Sequence, residues 1–316
     1  MATCLVTGVA GFVGSHLAER LIADGHAVIG IDCFTDYYAR ALKERNLVAL
    51  RREARFQFIE ADLVSTDLTE IVRDATLIFH LAGQAGVRAS WGKSFDAYTR
   101  NNLLATQMVL EAAKANPPEK IVFASSSSIY GDAETLPTFE DAMPQPVSPY
   151  GVTKLACEHL CRLYTRNYNL PIVTVRFFTV YGPRQRPDMA FARFIRAARA
   201  NQEIVVFGDG EQTRDFTFVA DTVDGTIRAA RAGAPGAIYN LGGGSRVSVN
   251  QVLRELEMIL EQPVRVRYEA AQAGDARDTA ADIRRAQTAL GFAPRGALAT
   301  GLRAQVEWMR GAMRVE

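Results

Sequence analysis

At 316 residues, 48% hydrophobic and 22% charged, the chain can bury a large core and has room for one big domain or two unequal ones. A formal net charge of +1 with no run of like charge argues against nucleic acid or an anionic membrane as partner, so any anion site must be local. The cysteines Cys4, Cys33, Cys157 and Cys161 form no metal-binding CxxC pair, and no basic-then-apolar leader or bilayer-length apolar run precedes or interrupts them, so the expectation is a metal-free protein of the reducing cytoplasm.

The first stretch, 3–7, is apolar and partly β-branched, and Gly8-Val9-Ala10-Gly11-Phe12-Val13-Gly14 follows before a helical pattern that runs to Asp24-Gly25. Strand, glycine turn and helix in that order suit a pyrophosphate. Glycine lets the backbone approach it closely, and the N–H groups and dipole at the helix N-terminus attract its charge. The spacing is G-x-x-G-x-x-G and by itself proves little. The next strand, 27–31, strengthens it by ending at Asp32, where a carboxylate accepts hydrogen bonds from the ribose of NAD and repels the extra phosphate of NADP. A strand-terminal Asp can merely cap a turn; behind the glycine loop it points to NAD.

The alternation continues with a helix over 37–52, a strand over 56–60 followed by Asp62-Leu63, a short helix, Leu77-Ile78-Phe79-His80-Leu81-Ala82-Gly83, a long helix over 95–116 and a strand over 120–124. Strands separated by helices imply right-handed βαβ crossovers and an α/β, doubly wound parallel sheet of the Rossmann type. Its ligands belong at the strand C-terminal ends, where Gly8, Asp32, Asp62, Ala82, Ser126 and Thr179 all fall.

Ser148-Pro149 sets an N-cap and a first helical residue, which places Tyr150 and Lys154 one turn apart on a helix face, downstream of Ser125-Ser126-Ser127-Ser128-Ile129-Tyr130-Gly131. An ammonium near a phenol favours the phenolate and brings a group of free pKa about 10 towards use as a base at neutral pH. A Tyr-x-x-x-Lys pair alone is more often a solvated helix face. The company it keeps here reverses that reading.

The second half changes character, with a helix over 189–200, a strand over 204–207, the turn Gly208-Asp209-Gly210, an amphipathic helix over 247–260, a strand over 264–268 and two closing helices. The expected division is a NAD-binding domain over 1–176 and a smaller mixed α/β substrate domain over 177–316, with about 215–242 returning to the first. Arg186 and Arg214, with Arg88, offer guanidinium forks suited to a diphosphate, though each can be a plain surface arginine.

Thr7-Gly8-x-x-Gly11-x-x-Gly14, His80-Leu81-Ala82-Gly83, the serine cluster before Tyr130-Gly131 and Tyr150-x-x-x-Lys154 resemble the extended short-chain dehydrogenase/reductase family of nucleotide-sugar epimerases and dehydratases, over essentially the whole chain. Asp36-Tyr37-Tyr38, Gly83-Gln84-Ala85-Gly86-Val87-Arg88, Arg176-Phe177-Phe178-Thr179-Val180-Tyr181-Gly182-Pro183 and Arg186-Pro187-Asp188-Met189 resemble the UDP-glucuronate 4-epimerases more narrowly.

That resemblance implies cofactor contacts at Gly8, Gly11, Phe12, Val13, Gly14, Asp32, Asp62, Leu63, Leu81, Ala82, Gly83, Asn102, Tyr150, Lys154 and Phe177. It implies a catalytic set of Ser126, Tyr150 as base and Lys154 as its electrostatic partner. Phe207, Arg214 and Asp275 fall where related enzymes hold uridine diphosphate, and Arg88, Ser127, Ser128, Thr179 and Arg186 complete the expected UDP-sugar contacts. The implied reaction is 4-epimerisation through a transient 4-keto sugar, and the implied assembly is a homodimer built on the long helix and the helix after Tyr150. The chain departs from the common pattern at Gly83, Ala273 and Cys33, none of them a catalytic group. A related 4,6-dehydratase would carry Asp and Glu at 127 and 128, and a decarboxylase commonly Glu at 128; both are serine here. UDP-glucose 4-epimerase stays open, although its pattern usually has Asn in place of Thr179, and a NAD sensor that lost the chemistry would usually have lost the tyrosine or lysine.

Overall fold

In the computed structural model, which describes residues 1–271, 274 and 276–312, the strands in chain order are β1 (Thr3–Thr7), β2 (Ala27–Asp32), β3 (Phe56–Glu60), β4 (Leu77–His80), β5 (Lys120–Ser126), β6 (Ile172–Phe177), β7 (Thr179–Tyr181), β8 (Ile204–Phe207), β9 (Thr213–Phe218), β10 (Ile238–Leu241), β11 (Arg246–Ser248) and β12 (Val266–Glu269). Seven of them form one sheet in the order β10-β6-β5-β4-β1-β2-β3, and every pairing in it is parallel. The order runs outward in both directions from the β1–β4 boundary. Helices leaving these two strands depart to opposite faces, and the gap they leave at the strand C-terminal ends is where such sheets take ligands.

Parallel strands are covered on both faces, and the side-chain period of two sorts each strand between two cores. Cys4 and Val6 belong to the core shared with Leu17 and Leu21 of the helix Phe12–Ala23 and Val223 and Ile227 of the helix Val219–Ala232. Leu5 points the other way, to Ile78, Ile121 and Phe123, covered by Val109 and Leu110 of the helix Ala105–Ala115 and by Cys157 and Cys161 of the helix Pro149–Tyr168. Fully burying each such aliphatic side chain is worth about 1.5–3 kcal/mol. All four cysteines are free thiols, and three are buried.

Three of the expected helices differ from their sequence reading, and the one over 247–260 gives its first two residues to β11 and starts at Val249 behind the Ser248 cap. The span 37–52 shrinks to Arg40–Leu47 with a 3₁₀ turn at Leu50–Arg52, because 37–39 form the turn and connecting stretch that follow β2. The span 95–116 is interrupted by a π-helical segment, Thr99–Leu104, between Phe95–Tyr98 and Ala105–Ala115. The wider π turn carries Asn102 inward, where it is almost fully buried. None of the helices among the described residues is long and apolar enough to cross a membrane.

The smaller lobe holds a three-stranded sheet, β11-β9-β7, and the parallel pair β12-β8, around a core of Tyr181, Phe191, Ile195, Phe216, Leu256 and Val306. Between β9 and β11 the chain passes back through the large sheet, since β10 lies beside β6. Asp215 of β9 fastens this crossing. Its carboxylate accepts from the Gly243 N–H at 2.5 Å and the Ala281 N–H at 3.0 Å, while only 1% of the residue is exposed. A Cβ on Gly243 would stand 2.1 Å from the Phe216 carbonyl oxygen, so only glycine passes there.

Burial pushes the Asp215 carboxyl up to about 6, against the pull of the backbone N–H groups of Ala281, Gly243 and Gly244. With the folded pKa above the unfolded one, the folded state binds the extra proton between the ordinary carboxylate range and about pH 6, and the group's contribution to stability falls as pH rises through that window. The stability advantage of the wild type over Asp215→Asn is therefore expected to shrink by about 1 kcal/mol between pH 5 and pH 7.5, measured by urea unfolding. An advantage that grows with pH would contradict this.

Candidate active site

Sequence order brings the glycine loop to the switch point, and close contact keeps it there. Gly8 takes φ +72° and donates its N–H to the Ile31 carbonyl at 2.8 Å, and a Cβ on Gly14 would lie 2.2 Å from the Gly8 carbonyl oxygen. The first turn of the helix Phe12–Ala23 thus sits hard on the end of β1. No side chain caps it and no acid lies in its first turn, which leaves its N–H groups and positive dipole end to the cleft. The Thr7 hydroxyl accepts from the Ala82 N–H at 3.1 Å and lies 2.8 Å from His80 Nδ1, whose Nε2 lies 3.0 Å from the Thr106 hydroxyl. Both ring nitrogens are thus satisfied by threonine hydroxyls. Complete burial, with a lesser push from Lys154, drives the His80 pKa down to about 3, so this ring is a neutral clamp between β1, β4 and the long helix.

At the end of β2, Asp32 accepts from the Phe34 N–H at 2.9 Å and the Ala10 N–H at 3.1 Å. Burial raises its pKa, and the Phe34 N–H and the Lys43 ammonium work against that rise. Asp62 has the opposite balance: burial disfavours its charge, but the Val64 N–H and Arg100, 2.5 Å away, outweigh it and hold the carboxyl below its ordinary range.

The helix Pro149–Tyr168 begins as its sequence requires, with the Ser148 hydroxyl accepting from the Gly151 N–H at 3.1 Å and Pro149 in the first turn. It delivers Tyr150 and Lys154 to the cleft beside Ser126. Lys154 is 6% exposed, and its Nζ donates to the Ala124 carbonyl at 2.9 Å. That bond ties the ammonium to the last turns of β5 and leaves its other protons for the cleft. The Ser126 hydroxyl donates to Ser128 Oγ at 3.1 Å and accepts from the Ser128 N–H at the same distance. The Tyr150 ring stands edge-on to Tyr98 at 6.2 Å, and the Tyr98 hydroxyl is held by the Gly86 carbonyl at 2.7 Å. Asn102 works from behind: its Oδ1 accepts from the Gln84 N–H at 2.6 Å, and its Nδ2 donates to Gln84 O at 3.1 Å and to the Thr153 hydroxyl at 2.9 Å. It joins the loop after β4 to the first turn of the Tyr150 helix.

One cleft of about 410 Å³ brings together Gly8, Gly11, Phe12, Val13, Gly14, Asp32, Asp62, Leu63, Leu81, Ala82 and Gly83 on one side with Ser126, Ser127, Ser128, Tyr150, Lys154, Phe177, Thr179 and Arg186 on the other. Asn102 backs the cleft without lining it. Arg88, Phe207 and Arg214 lie off it. The Arg88 guanidinium sits 4.4 Å over the Phe207 ring, and Arg214 Nη1 donates to the Thr213 carbonyl at 2.9 Å and the Arg277 carbonyl at 2.7 Å. Asp275 and Ala273 fall outside the described residues. The structure adds lining residues that pattern reading passed over: Thr35, Lys43 and Met189. Lys43 sits on a polar helix where nothing in the sequence separates it from a solvated lysine.

Arg186 faces Tyr37 across the cleft and pairs with Asp188 through two contacts of 3.0 Å, while the Tyr37 hydroxyl donates to the same carboxylate at 3.1 Å. Burial works against the Arg186 charge, and Asp188 more than offsets it.

A doubly wound parallel sheet with an uncapped glycine-loop helix at its switch point is a dinucleotide-binding architecture. Residues 4–242 match the NAD dependent epimerase/dehydratase family, and the chain belongs to that family. It is 43% identical over 309 residues to an uncharacterized UDP-glucose epimerase of Bacillus subtilis (strain 168), covering 96% of this chain and 97% of that one. It is 37% identical over 315 residues to a UDP-glucuronate 4-epimerase of Thermodesulfobacterium geofontis, covering 98% and 97%. The structure of UDP-glucuronic acid 4-epimerase from Bacillus cereus in complex with UDP-glucuronic acid and NAD superimposes with a TM-score of 0.96 at 42% identity, over 98% of this chain and 99% of that one.

Proposed function

We propose that this protein is an NAD-dependent isomerase that inverts C4 of a UDP-sugar, with UDP-glucuronate as substrate and UDP-galacturonate as product. The observation that carries it is the convergence of Ser126, Tyr150 and Lys154 on the same cleft as the glycine loop and Asp32. The residues fit a dinucleotide: the crowding at Gly8 and Gly14 leaves a bare backbone for a pyrophosphate, and Asp32 supplies a ribose acceptor. NAD held by the glycine loop and Asp32 would supply the hydride acceptor and donor for C4 of the sugar.

The chain's own residues handle the proton and the sugar. Tyr150 takes the proton of the 4-hydroxyl and gives it back after the keto sugar has turned, with Lys154, fixed on the Ala124 carbonyl, as its electrostatic partner. Ser126, its Oγ held by the Ser128 N–H, turns its hydroxyl proton from Ser128 Oγ to the same sugar oxygen. The ring is free to turn because the diphosphate holds the molecule at a distance, which is the use of remote binding energy that P-linked handles permit. Arg88, Arg186 and Arg214, with Phe207, are assigned to the uridine diphosphate. The Bacillus subtilis relative favours UDP-glucose as a second substrate reading; assaying both sugars side by side by NMR separates them, and turnover of UDP-glucose alone would overturn the uronate assignment. The cytoplasm suits the four unpaired thiols.

Tyr150→Phe is expected to fold and to retain NAD while losing at least about 10²–10⁴-fold in turnover, the usual share of a general acid–base group. Near-normal turnover would remove Tyr150 from its role.

Oxidising C4 of a glucuronate makes a β-keto acid, which loses carbon dioxide when the C5-carboxylate bond aligns with the ketone. Ser127, Ser128 and Thr179 line the cleft beside Ser126 and offer neutral hydroxyls to hold that carboxylate out of alignment. Hydrogen bonds to a charged group contribute about 1.5–3 kcal/mol each, enough to bias one conformer. Thr179→Val and Ser127→Ala should therefore slow epimerisation and raise the share of UDP-4-keto-pentose, read by mass spectrometry. Slower variants that make no extra pentose would reject the clamp.

The chain is assigned to a homodimer through the helices Ala105–Ala115 and Pro149–Tyr168, whose outer faces leave Leu163 50% and Val152 48% exposed, with Leu104 at 39% just before the first of them. Light scattering at micromolar concentration should give twice the monomer mass, and Leu163→Glu should shift it towards monomer.

A further inference from the structure

The ribose end of the cleft holds a charge that the NAD reading does not use. Lys43 comes from the helix Arg40–Leu47, only 4% of it is exposed, and its Nζ is anchored on the carbonyl and the hydroxyl of Thr35, the latter at 3.3 Å. The ammonium also lies 4.5 Å over the Tyr38 ring. Lys43, Thr35, Tyr38 and Asp32 all line the cleft. Burial works against the Lys43 charge, and Asp32 is the first of the acids that favour it, ahead of Asp36. Asp32 in turn accepts from two backbone N–H groups, and the Lys43 ammonium reaches Thr35 rather than forming an ion pair with it.

We infer that Lys43 is a cofactor-selectivity residue: a latent site for a ribose 2′-phosphate, held silent by the Asp32 carboxylate beside it. In dinucleotide folds an acid at the end of the second strand accepts the 2′-hydroxyl of NAD, whereas a nearby base accommodates the 2′-phosphate of NADP. This chain carries both, with the acid on the strand end and the base one helix later. While Asp32 is ionised, its repulsion of a phosphate dianion cancels the attraction of Lys43, and the site selects NAD. Without that charge, the ammonium stands on a fixed stem with a donor to spare beyond its two Thr35 contacts, and the other acid of this wall, Asp62, is already paired with Arg100, which suits Lys43 to accept a phosphate. The inference rests on the reading of this cleft as the NAD site.

The test reads bound cofactor rather than activity. Purified protein is dialysed to equilibrium against NAD and NADP at equal concentration, bound nucleotide is released by heat, and the two are quantified by chromatography. The wild type should hold NAD almost alone. Asp32→Asn should raise the ratio of NADP to NAD by about tenfold or more, and adding Lys43→Met to it should take that gain away. A double variant that keeps the gain, or a single variant that shows none, overturns the role of Lys43. Should Asp32→Asn fail to fold, Lys43→Met in the native background decides: the small residual NADP occupancy should fall several-fold with NAD occupancy changed far less, and equal residual NADP overturns the inference. A wild type that holds neither nucleotide would instead overturn the NAD reading itself.

Discussion

Beneath the cleft, Arg176 and Glu158 meet with 3% and 5% of their side chains exposed, and most of what faces the substrate side is built on that pair. Arg176 donates through Nε and Nη2 to the two Glu158 oxygens at 2.9 and 2.7 Å, and through Nη1 to the Tyr130 hydroxyl at 2.6 Å and the Glu140 carbonyl at 2.7 Å. Tyr130 passes its own proton to Asn240 of β10 at 2.8 Å, and Glu158 takes the Ser125 hydroxyl. The network therefore joins the Tyr150 helix, β5, β6 and the strand that returns from the smaller lobe. Losing one member would strand a buried charge, a cost of about 3–5 kcal/mol, and an ion pair of this kind fixes register more surely than it adds stability. Ser125 is one residue from Ser126, and Glu158 is one turn from Lys154. The relative placement of hydroxyl, phenol and ammonium follows from a pair that never touches the cleft.

The cleft above it is electrically mixed although the chain as a whole is nearly neutral. Lys43, Lys154 and Arg186 line it together with Asp32 and Asp62, so both signs of charge face the same space. Each charge has its own local support: a carbonyl for Lys154, Thr35 for Lys43, Asp188 for Arg186, and backbone N–H groups for Asp32. Groups held in place in this way cost little rearrangement when charge moves during reaction. His80 is the counter-case, a titratable ring used only for its shape and two hydrogen bonds, kept neutral by burial.

Much of this was legible in the order of residues. The strand and helix periods, the glycine turn, the acid at the end of the second strand and the Ser-Pro start before Tyr150 are local signals, each produced by neighbours along the chain, and they place Gly8, Asp32, Ser126, Tyr150 and Lys154 on one sheet edge without any knowledge of contacts. Parallel βαβ connectivity then leaves little choice of where those ends lie. The π-helical turn at Thr99–Leu104 left no such trace, because it answers to Gln84 and Thr153, partners 18 and 51 residues from Asn102. Arg88 and Arg214 were picked out as diphosphate forks by type alone, and that one lies over the Phe207 ring while the other donates to two backbone carbonyls could not be read from the sequence.

What sequence by itself determined is the architecture and which residues are candidates for the reacting groups, since both rest on short-range pattern and on residue chemistry. Only the tertiary structure decided which polar residues share a space. Lys43 and Arg193 look alike as letters on helices, yet one ends in the cofactor end of the cleft and the other over the Phe207 ring. Glu158 and Arg176 are ordinary charged residues until the Tyr150 helix lies across β6 and removes water from both. The physical reason is the same in each case: burial and charge pairing depend on distances between segments far apart in the chain, and no local propensity carries that information.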